Sequence, residues 1–365
     1  MKPIILLGEA WGENEARHRK AFIGAAGAEL IKMCAEAGLL IWSPEDQALY
    51  RRYWQANDPL ALDMLWGRHP NLYRANVFNQ RPLGNKILNF CGGKEDAIKG
   101  YPPLAKSKFV RREFIPELER LGDEITSVDP NLIVCLGNTA LWALAGNTGI
   151  SKLRGTTRLS THTVSDYKLL PTYHPSAILY MWDNRSVTVA DLMKAKREAE
   201  YPDLRRPARD IWIEPTIEDL HVFEQQYIRG CKLLSIDIET AGRYVTCIGF
   251  CPDPNIALVV PFVDPRRKNR AYWPDANVEA EAWRWVARIL ADHKIKKLFQ
   301  NGAYDIAFLL RSMKLPTYGA EHDTMLLQHA LQPEMLKGLG FLGSLYSDEG
   351  AWKTERKVAT IKRDD

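Results

Sequence analysis

The chain lacks any long apolar run. No stretch of its 365 residues approaches the roughly 20 needed to cross a bilayer. The opening MKPIILLGEA has a short apolar core but no small-residue cleavage site, so neither a signal peptide nor membrane attachment is expected. The expected setting is therefore the cytoplasm. Cysteine is sparse: Cys34, Cys91, Cys135, Cys231, Cys247 and Cys251 are scattered. Only Cys247 and Cys251 are close, with no second pair, which reads as buried thiols rather than a metal site or a disulfide framework. Charge of one sign is nearly absent in the sum, at net +4, so a polyanionic partner is not demanded by overall charge. Local basic patches do occur at Lys106–Arg112, Lys194–Arg197 and Arg266–Arg270. Hydrophobic residues at 46% and charged residues at 26% suffice for packed cores, and the length predicts two domains.

The first informative stretch runs from Gly8 to Ile31. An apolar run, Ile4–Leu7, enters GEAWG, and a helical pattern (Ala28, Leu30, Ile31, Cys34) leaves AFIGAAG. A buried parallel strand, a glycine turn and a helix are predicted, with the turn at the carboxyl end of its strand, where open α/β sheets bind ligands. Alternating strands and helices follow to about residue 199. Glu200–Pro215, with three prolines and a charge cluster, reads as a linker. Beyond it, strands at Lys232–Ile238, Tyr244–Phe250 and Ile256–Phe262 form a meander. A helix at Glu279–Leu290, a strand at Lys297–Gln300 and a helix at Tyr304–Ser312 complete that pattern. The domain boundaries predicted are 1–200, a linker over 201–215, and 216–365.

GEAWG at Gly8–Gly12 and AFIGAAG at Ala21–Gly27 resemble the first motif of the uracil-DNA glycosylase superfamily, nearest the branch patterned GEAPG…E…PFVGxAG. NVFNQRPLGN (Asn76–Asn85), LIVCLGNTALWALAG (Leu132–Gly146) with KLRG behind it, and PTYHPSAIL (Pro171–Leu179) follow in family order. The resemblance implies a parallel-sheet α/β sandwich that hydrolyses the N-glycosidic bond of uracil, or of a related pyrimidine, in single- or double-stranded DNA. Flipping the nucleotide out of its stack costs a few kcal/mol. By the same resemblance Phe22 stacks on the flipped base, and Gly8, Ala10, Trp11, Gly12 and Asn85 line its site. The Asn76 amide accepts from uracil N3–H and donates to O4, provided neighbours fix its orientation. Glu9 and Glu15 position the attacking water, and His174 donates to O2 as charge develops there. Ser176, Ala177 and Arg185 belong to the loop that wedges into DNA.

No cofactor is expected for this chemistry. Members of the branch carry a four-cysteine iron–sulfur cluster, but Gln80 stands at the second-motif cysteine and no upstream pair is present, so no cluster is expected. Relatives that trap uracil covalently use a histidine after the second motif; residues 81–100 hold none. Trp11 replaces the family proline, and its indole is expected beside the water, where it would narrow the pocket, change the base accepted or block hydrolysis. The 41–74 interval is longer than in the family and rich in aromatics, and is read as a helical elaboration packed on the sheet.

In the second half, LLSIDIETAG, FQNGAYDIAFL and HDTMLLQHALQPEMLKGLGFLGSLYSDEGAWK resemble the 3′–5′ proofreading exonuclease domain of family A DNA polymerases, phage-type ones in the last stretch. The resemblance implies a partial RNase H-like (DnaQ-type) α/β domain. Residues two apart on a strand share a face, so Asp237 and Glu239 present paired carboxylates, and Asp305 brings a third. Such a set holds two Mg2+ or Mn2+ ions about 3.5–4 Å apart. The family's third motif has a Tyr, three intervening residues and then an Asp; at that offset from Tyr346 stands Gly350. Nuclease activity is therefore expected to be weak or absent. An alternative open at this stage is a non-catalytic, uracil- or DNA-binding N-terminal part of a phage-type polymerase, with a DNA polymerase as partner.

Overall fold

The computed structural model describes residues 2–350. They form two compact units, one holding the chain to Arg205 together with the described residues from Gly340 on, the other Arg206–Leu339. No helix among the described residues is long and apolar enough to cross a membrane.

In the first unit, β1 (Ile4–Ala10) is followed by α1 (Glu13–His18), α2 (Ala25–Glu36), α3 (Pro44–Ala56) and α4 (Pro59–Gly67). Next come β2 (Leu72–Phe78), a two-stranded hairpin of β3 (Cys91–Gly92) and β4 (Phe109–Val110), and α5 (Ile115–Val128). Then follow β5 (Leu132–Leu136), α6 (Asn138–Ala145), α7 (Ile150–Leu153), β6 (Arg158–Thr161) and β7 (Ser165–Thr172). The short α8 (Pro175–Ile178) and the long α9 (Asn184–Glu198) come last before the second unit.

The sheet order is β2-β1-β5-β7-β6, with β1 parallel to β2 and β5, and β5 parallel to β7. Along β1, Ile5 and Leu7 enter one core and Ile4 and Leu6 the other. A strand covered on both faces must be apolar at every position, which is why the motif strand reads as a continuous run. Chain order reverses between β1 and β5, so their carboxyl ends open a crevice. β6 pairs antiparallel with β7 and adds an edge that the sequence reading missed.

The 41–74 interval is helical: α3 begins at a capping box of Ser43 and Asp46, and α4 at the Asp58 side chain. Tyr53, Leu62, Leu65 and Trp66 bury into the core beneath α2, whereas Trp54 stays exposed.

The second unit runs β8 (Asp210–Trp212), α10 (Ile217–Phe223), β9 (Leu234–Ala241), β10 (Tyr244–Asp253), β11 (Ile256–Pro261), α11 (Ala276–Ala291), β12 (Lys297–Phe299), α12 (Gly302–Met313), β13 (Ala320–Asp323) and α13 (Thr324–Leu331). A final helix, α14 (Leu339–Tyr346), ends the described elements, its residues from Gly340 lying in the first unit. The sheet order is β13-β12-β9-β10-β11-β8, with β10 antiparallel to β9 and β11 and with β12 and β13 parallel to β9. A three-strand meander extended by parallel strands is the RNase H-like arrangement. The stretch read as linker is not wholly irregular, because Asp210–Trp212 pairs parallel with β11. Its prolines lie outside those three residues, so they do not block the pairing.

Candidate active site

The carboxyl ends of β1, β2, β5 and β7 bring the first unit's motif residues together. Gly8 and Asn76 are register partners at the ends of β1 and β2. A Cβ at Gly8 would lie 2.3 Å from Asn76 Oδ1 and 2.5 Å from Phe22 Cζ, so only glycine lets the amide and the ring converge there. Asn76 is 3% exposed, and among the described residues its side-chain amide has no protein hydrogen bond. The little of Asn76 that stays exposed leaves this unpaired amide edge open to a ligand.

Phe22 is held in an uncommon conformation. Its φ is +57°, in the left-handed region, although its side chain is 4% exposed. That region is disfavoured by about 1–2 kcal/mol for a residue with a Cβ, and such outliers persist only where surroundings over-determine them. Here they do. Trp66 Nε1–H donates to Phe22 O at 3.0 Å, and Arg74 donates to Ala21 O at 2.8 Å. The backbone of Phe22 also presses on Gly27, where a Cβ would fall 1.9 Å from Phe22 O. Glu15 closes the loop from the other side: its Oε1 accepts from the amides of Ile23 (3.2 Å) and Gly24 (2.9 Å). Glu15 thus serves as a loop clamp, a different task from the water positioning expected beside Glu9.

His174 sits 6.1 Å from Phe22, ring centroid to ring centroid, tilted by 31°. The Ser176 backbone N–H donates to His174 Nδ1 at 3.2 Å, and the Ser176 hydroxyl lies 2.7 Å from the same nitrogen. A backbone N–H can only donate, so Nδ1 is the acceptor and Nε2 carries the proton. Burial pushes the imidazole down to about 4, which keeps it neutral at physiological pH. The site therefore offers an oriented, uncharged Nε2–H donor. Ser176 orients the histidine from the first turn of α8.

Glu9, at the end of β1, accepts a hydrogen bond from Thr139 on α6. Burial pushes the Glu9 carboxyl above its usual range, and the Thr139 bond opposes that rise. A carboxylate tuned upward is a better proton acceptor near neutrality. Thr139 was not singled out in the sequence, although it stands two residues after the glycine of LGNTAL.

Other expected site residues lie elsewhere. Trp11 is held by its backbone N–H to Gln80 O at 3.2 Å, and the residue lines a cleft with Arg19, Lys20 and Arg74. Asn85 is exposed, at φ +56°, with its Oδ1 accepting from Arg81 at 2.9 Å. Ala10 and Gly12 flank the turn, and Ala177 lies in α8 next to the histidine's clamp. Arg185, expected in the loop that wedges into DNA, is neutralised within the protein: Nε donates to Glu29 at 2.6 Å, and both terminal nitrogens donate to Glu36 at 2.7 and 2.8 Å. Its guanidinium also lies 5.0 Å from the Trp182 ring centroid. Arg185 thereby fastens to α2 a segment in which Tyr180 is 89% and Trp182 61% exposed.

A buried network stands behind the site. Arg154, 1% exposed, pairs in a fork with Asp191 of α9, and Asp191 also accepts from Thr172 at 2.6 Å. Thr172 ends β7 two residues before His174, so α9 anchors the strand that delivers the histidine.

In the second unit, Asp237 and Glu239 project from the exposed face of β9. Asp305 is buried at 5% exposure and turns its Oδ1 to the Ile238 amide at 3.2 Å. Burial and the neighbouring Asp237 charge push its carboxyl up. Among the described residues, no group of three His, Cys, Asp or Glu side chains is arranged to hold a metal ion. The Asp237, Glu239 and Asp305 carboxylates expected to hold Mg2+ or Mn2+ are not gathered into such a group among the described residues, and one oxygen of Asp305 accepts from the strand's backbone.

Comparison with known proteins follows this geometry. The type-4 uracil-DNA glycosylase of Sulfurisphaera tokodaii is 26% identical over 204 residues, which is 54% of this chain and 71% of the relative. That of Saccharolobus solfataricus is 29% identical over 200 residues, covering 53% and 69% of the two chains. Among solved structures, the EXD2 exonuclease domain soaked in Mg and dGMP aligns over 37% of this chain and 68% of its own, at 15% identity and a TM-score of 0.27. The pattern of the uracil DNA glycosylase superfamily matches residues 1–199, and the chain belongs to that superfamily.

Proposed function

We propose that the first unit is a uracil-DNA glycosylase that hydrolyses the N-glycosidic bond of a nucleotide flipped out of DNA. The observation that carries this reading is the convergence of a strained aromatic, an unpartnered buried amide and a neutral Nε2–H donor at one sheet end. In this reading Phe22 stacks on the extruded base and Asn76 reads its N3–H and O4 edge. Charge that grows on O2 as the bond breaks meets His174 Nε2–H, which is oriented before the substrate arrives and costs no reorganisation. A neutral histidine suits this work, since it stabilises the uracil anion without protonating it. Glu9 holds the attacking water and takes up its proton; Glu15 acts through the loop it clamps. The exposed Tyr180–Trp182 segment is suited to fill the space that the base leaves.

The second unit enters this proposal as a tethered, exonuclease-like module without an assembled metal cage, and no step is assigned to it. The test is release of free base from oligonucleotides carrying one uracil, measured by chromatography for the wild type, Asn76→Ala and His174→Ala. Release by the wild type, reduced at least about 100-fold in each variant, is expected; an oxyanion donor alone is worth about 10²–10³. No release by the wild type refutes the reading.

A further inference from the structure

Trp11 departs from the family pattern, and it lines a cleft to which Phe22 and His174 do not contribute. It lines a separate cleft of about 450 Å3, in the range of roughly 300–1,000 Å3 typical of small-ligand sites. One wall is the first-motif loop with Trp11, Arg19 and Lys20; the other is the end of α4 with Trp66, and β2 with Tyr73 and Arg74.

Three features of this cleft point to a ligand with an aromatic plane and a negative charge. Trp11 offers a partly exposed indole. Arg19 has no hydrogen-bond or ion-pair partner among the described residues and is held at φ +53° at the end of α1, where glycine or asparagine would fit without strain. Lys20 reaches only Asp63, at 3.8 Å, and stays half exposed. Arg74, by contrast, is bound to Ala21 O and to Asp63 at 2.8 Å, so it forms part of the frame and not a free cation.

The cleft is also joined to the base site. Trp66 and Arg74 form its floor and wall while holding the Phe22 and Ala21 carbonyls. A chain whose flipped base stacks on Phe22 continues into the neighbouring nucleotide, and Ala21, the residue before Phe22, lines the cleft.

We propose that this cleft is a second nucleotide subsite, which takes the base and phosphate of a nucleotide adjacent to the flipped one on an unpaired DNA strand. The base stacks on Trp11, and Arg19 and Lys20 meet its phosphate. Stacking needs an unpaired neighbour, so the subsite favours single strands over duplex. This proposal rests on the glycosylase reading for the identity of the central nucleotide.

The test uses the full chain and a fluorescent 11-nucleotide single strand with a tetrahydrofuran abasic analogue at its centre, titrated by anisotropy across a range of KCl. Trp11→Ala is expected to weaken binding about 5- to 150-fold, the span of one base–aromatic stack. The Arg19→Ala/Lys20→Ala pair is expected to flatten the dependence of log K on log salt by roughly 0.7, the value for one phosphate on a single strand. Truncating the probe on one side of the abasic position should abolish the difference between wild type and Trp11→Ala. Circular dichroism melts check folding, and the double charge variant carries the test should Trp11→Ala unfold. Wild-type affinity and salt slope in both variants overturn the proposal, as does a wild type that does not bind the probe. Release of uracil from the matching uracil strand is scored separately. Its failure overturns the glycosylase reading and leaves the binding result to decide the subsite.

Discussion

Replacing Trp66 by phenylalanine isolates the hydrogen bond that keeps Phe22 in its left-handed conformation. The substitution keeps a buried aromatic ring and deletes one donor, the Nε1–H that lies 3.0 Å from Phe22 O. Leaving a buried carbonyl unpaired costs about 1–3 kcal/mol. The left-handed conformation that this bond supports is disfavoured by about 1–2 kcal/mol, so the two are of similar size. With the clamp gone, a large share of the protein is expected to relax at Phe22 and withdraw the ring from the base site. A loss of about 1–3 kcal/mol in the competent form corresponds to roughly a 5- to 150-fold fall in single-turnover excision. Uracil release under single-turnover conditions reads the first effect, and urea unfolding reads the accompanying loss of stability. Unchanged excision in a Trp66→Phe protein of reduced stability would refute the reasoning, since Phe22 would then be held without the indole.

Three further predictions follow from the same geometry. His174, with its pKa pushed down to about 4 against 6.5 unfolded, contributes stability that is fully present above about pH 6.5 and is lost as pH falls towards about 4. Nitrogen NMR of the imidazole should accordingly show a neutral Nε2–H tautomer at pH 7; an imidazolium there would contradict the assignment. Thr139→Val removes the bond that restrains the rise of Glu9, so the acid limb of the excision rate should move to higher pH, and an unmoved limb would exclude Glu9 as the proton acceptor. Asp191→Asn leaves Arg154 buried without its counter-charge and should cost about 3–5 kcal/mol in urea unfolding, whereas a joint apolar replacement of both residues should cost much less.

Local features were legible in the sequence, and tertiary ones were not. The β1–loop–α2 unit could be read because its strand, glycines and helical period lie within one contiguous segment, and the structure keeps that order. The partnership of Gly8 with Asn76 was implied by the motif resemblance, not by any local rule. Trp66 could be read only as an aromatic of an unusual interval, because its bond to Phe22 spans 44 residues. The ion pairs of Arg185, read only as part of a DNA-wedging loop, were hidden for a similar reason: its carboxylate partners sit on α2, about 150 residues earlier along the chain, with Arg185 to Glu36 separated by 149. β8 was hidden by the prolines and charges around it, and its pairing depends on an edge that β11 leaves open. The Asp237–Glu239 spacing correctly placed both side chains on one strand face. The direction of Asp305, which is set by its bond to the Ile238 amide, has no signature in its spacing.

The central claim is tested most directly by incubating the protein in EDTA with single- and double-stranded oligonucleotides that carry one uracil, then treating them with alkali. Chelation silences metal-dependent strand cleavage, so breakage that appears only after alkali reports an abasic site. Breakage mapped to the uracil by the wild type and lost in His174→Ala is the predicted result. Intact uracil strands after incubation with a folded wild-type protein would contradict it.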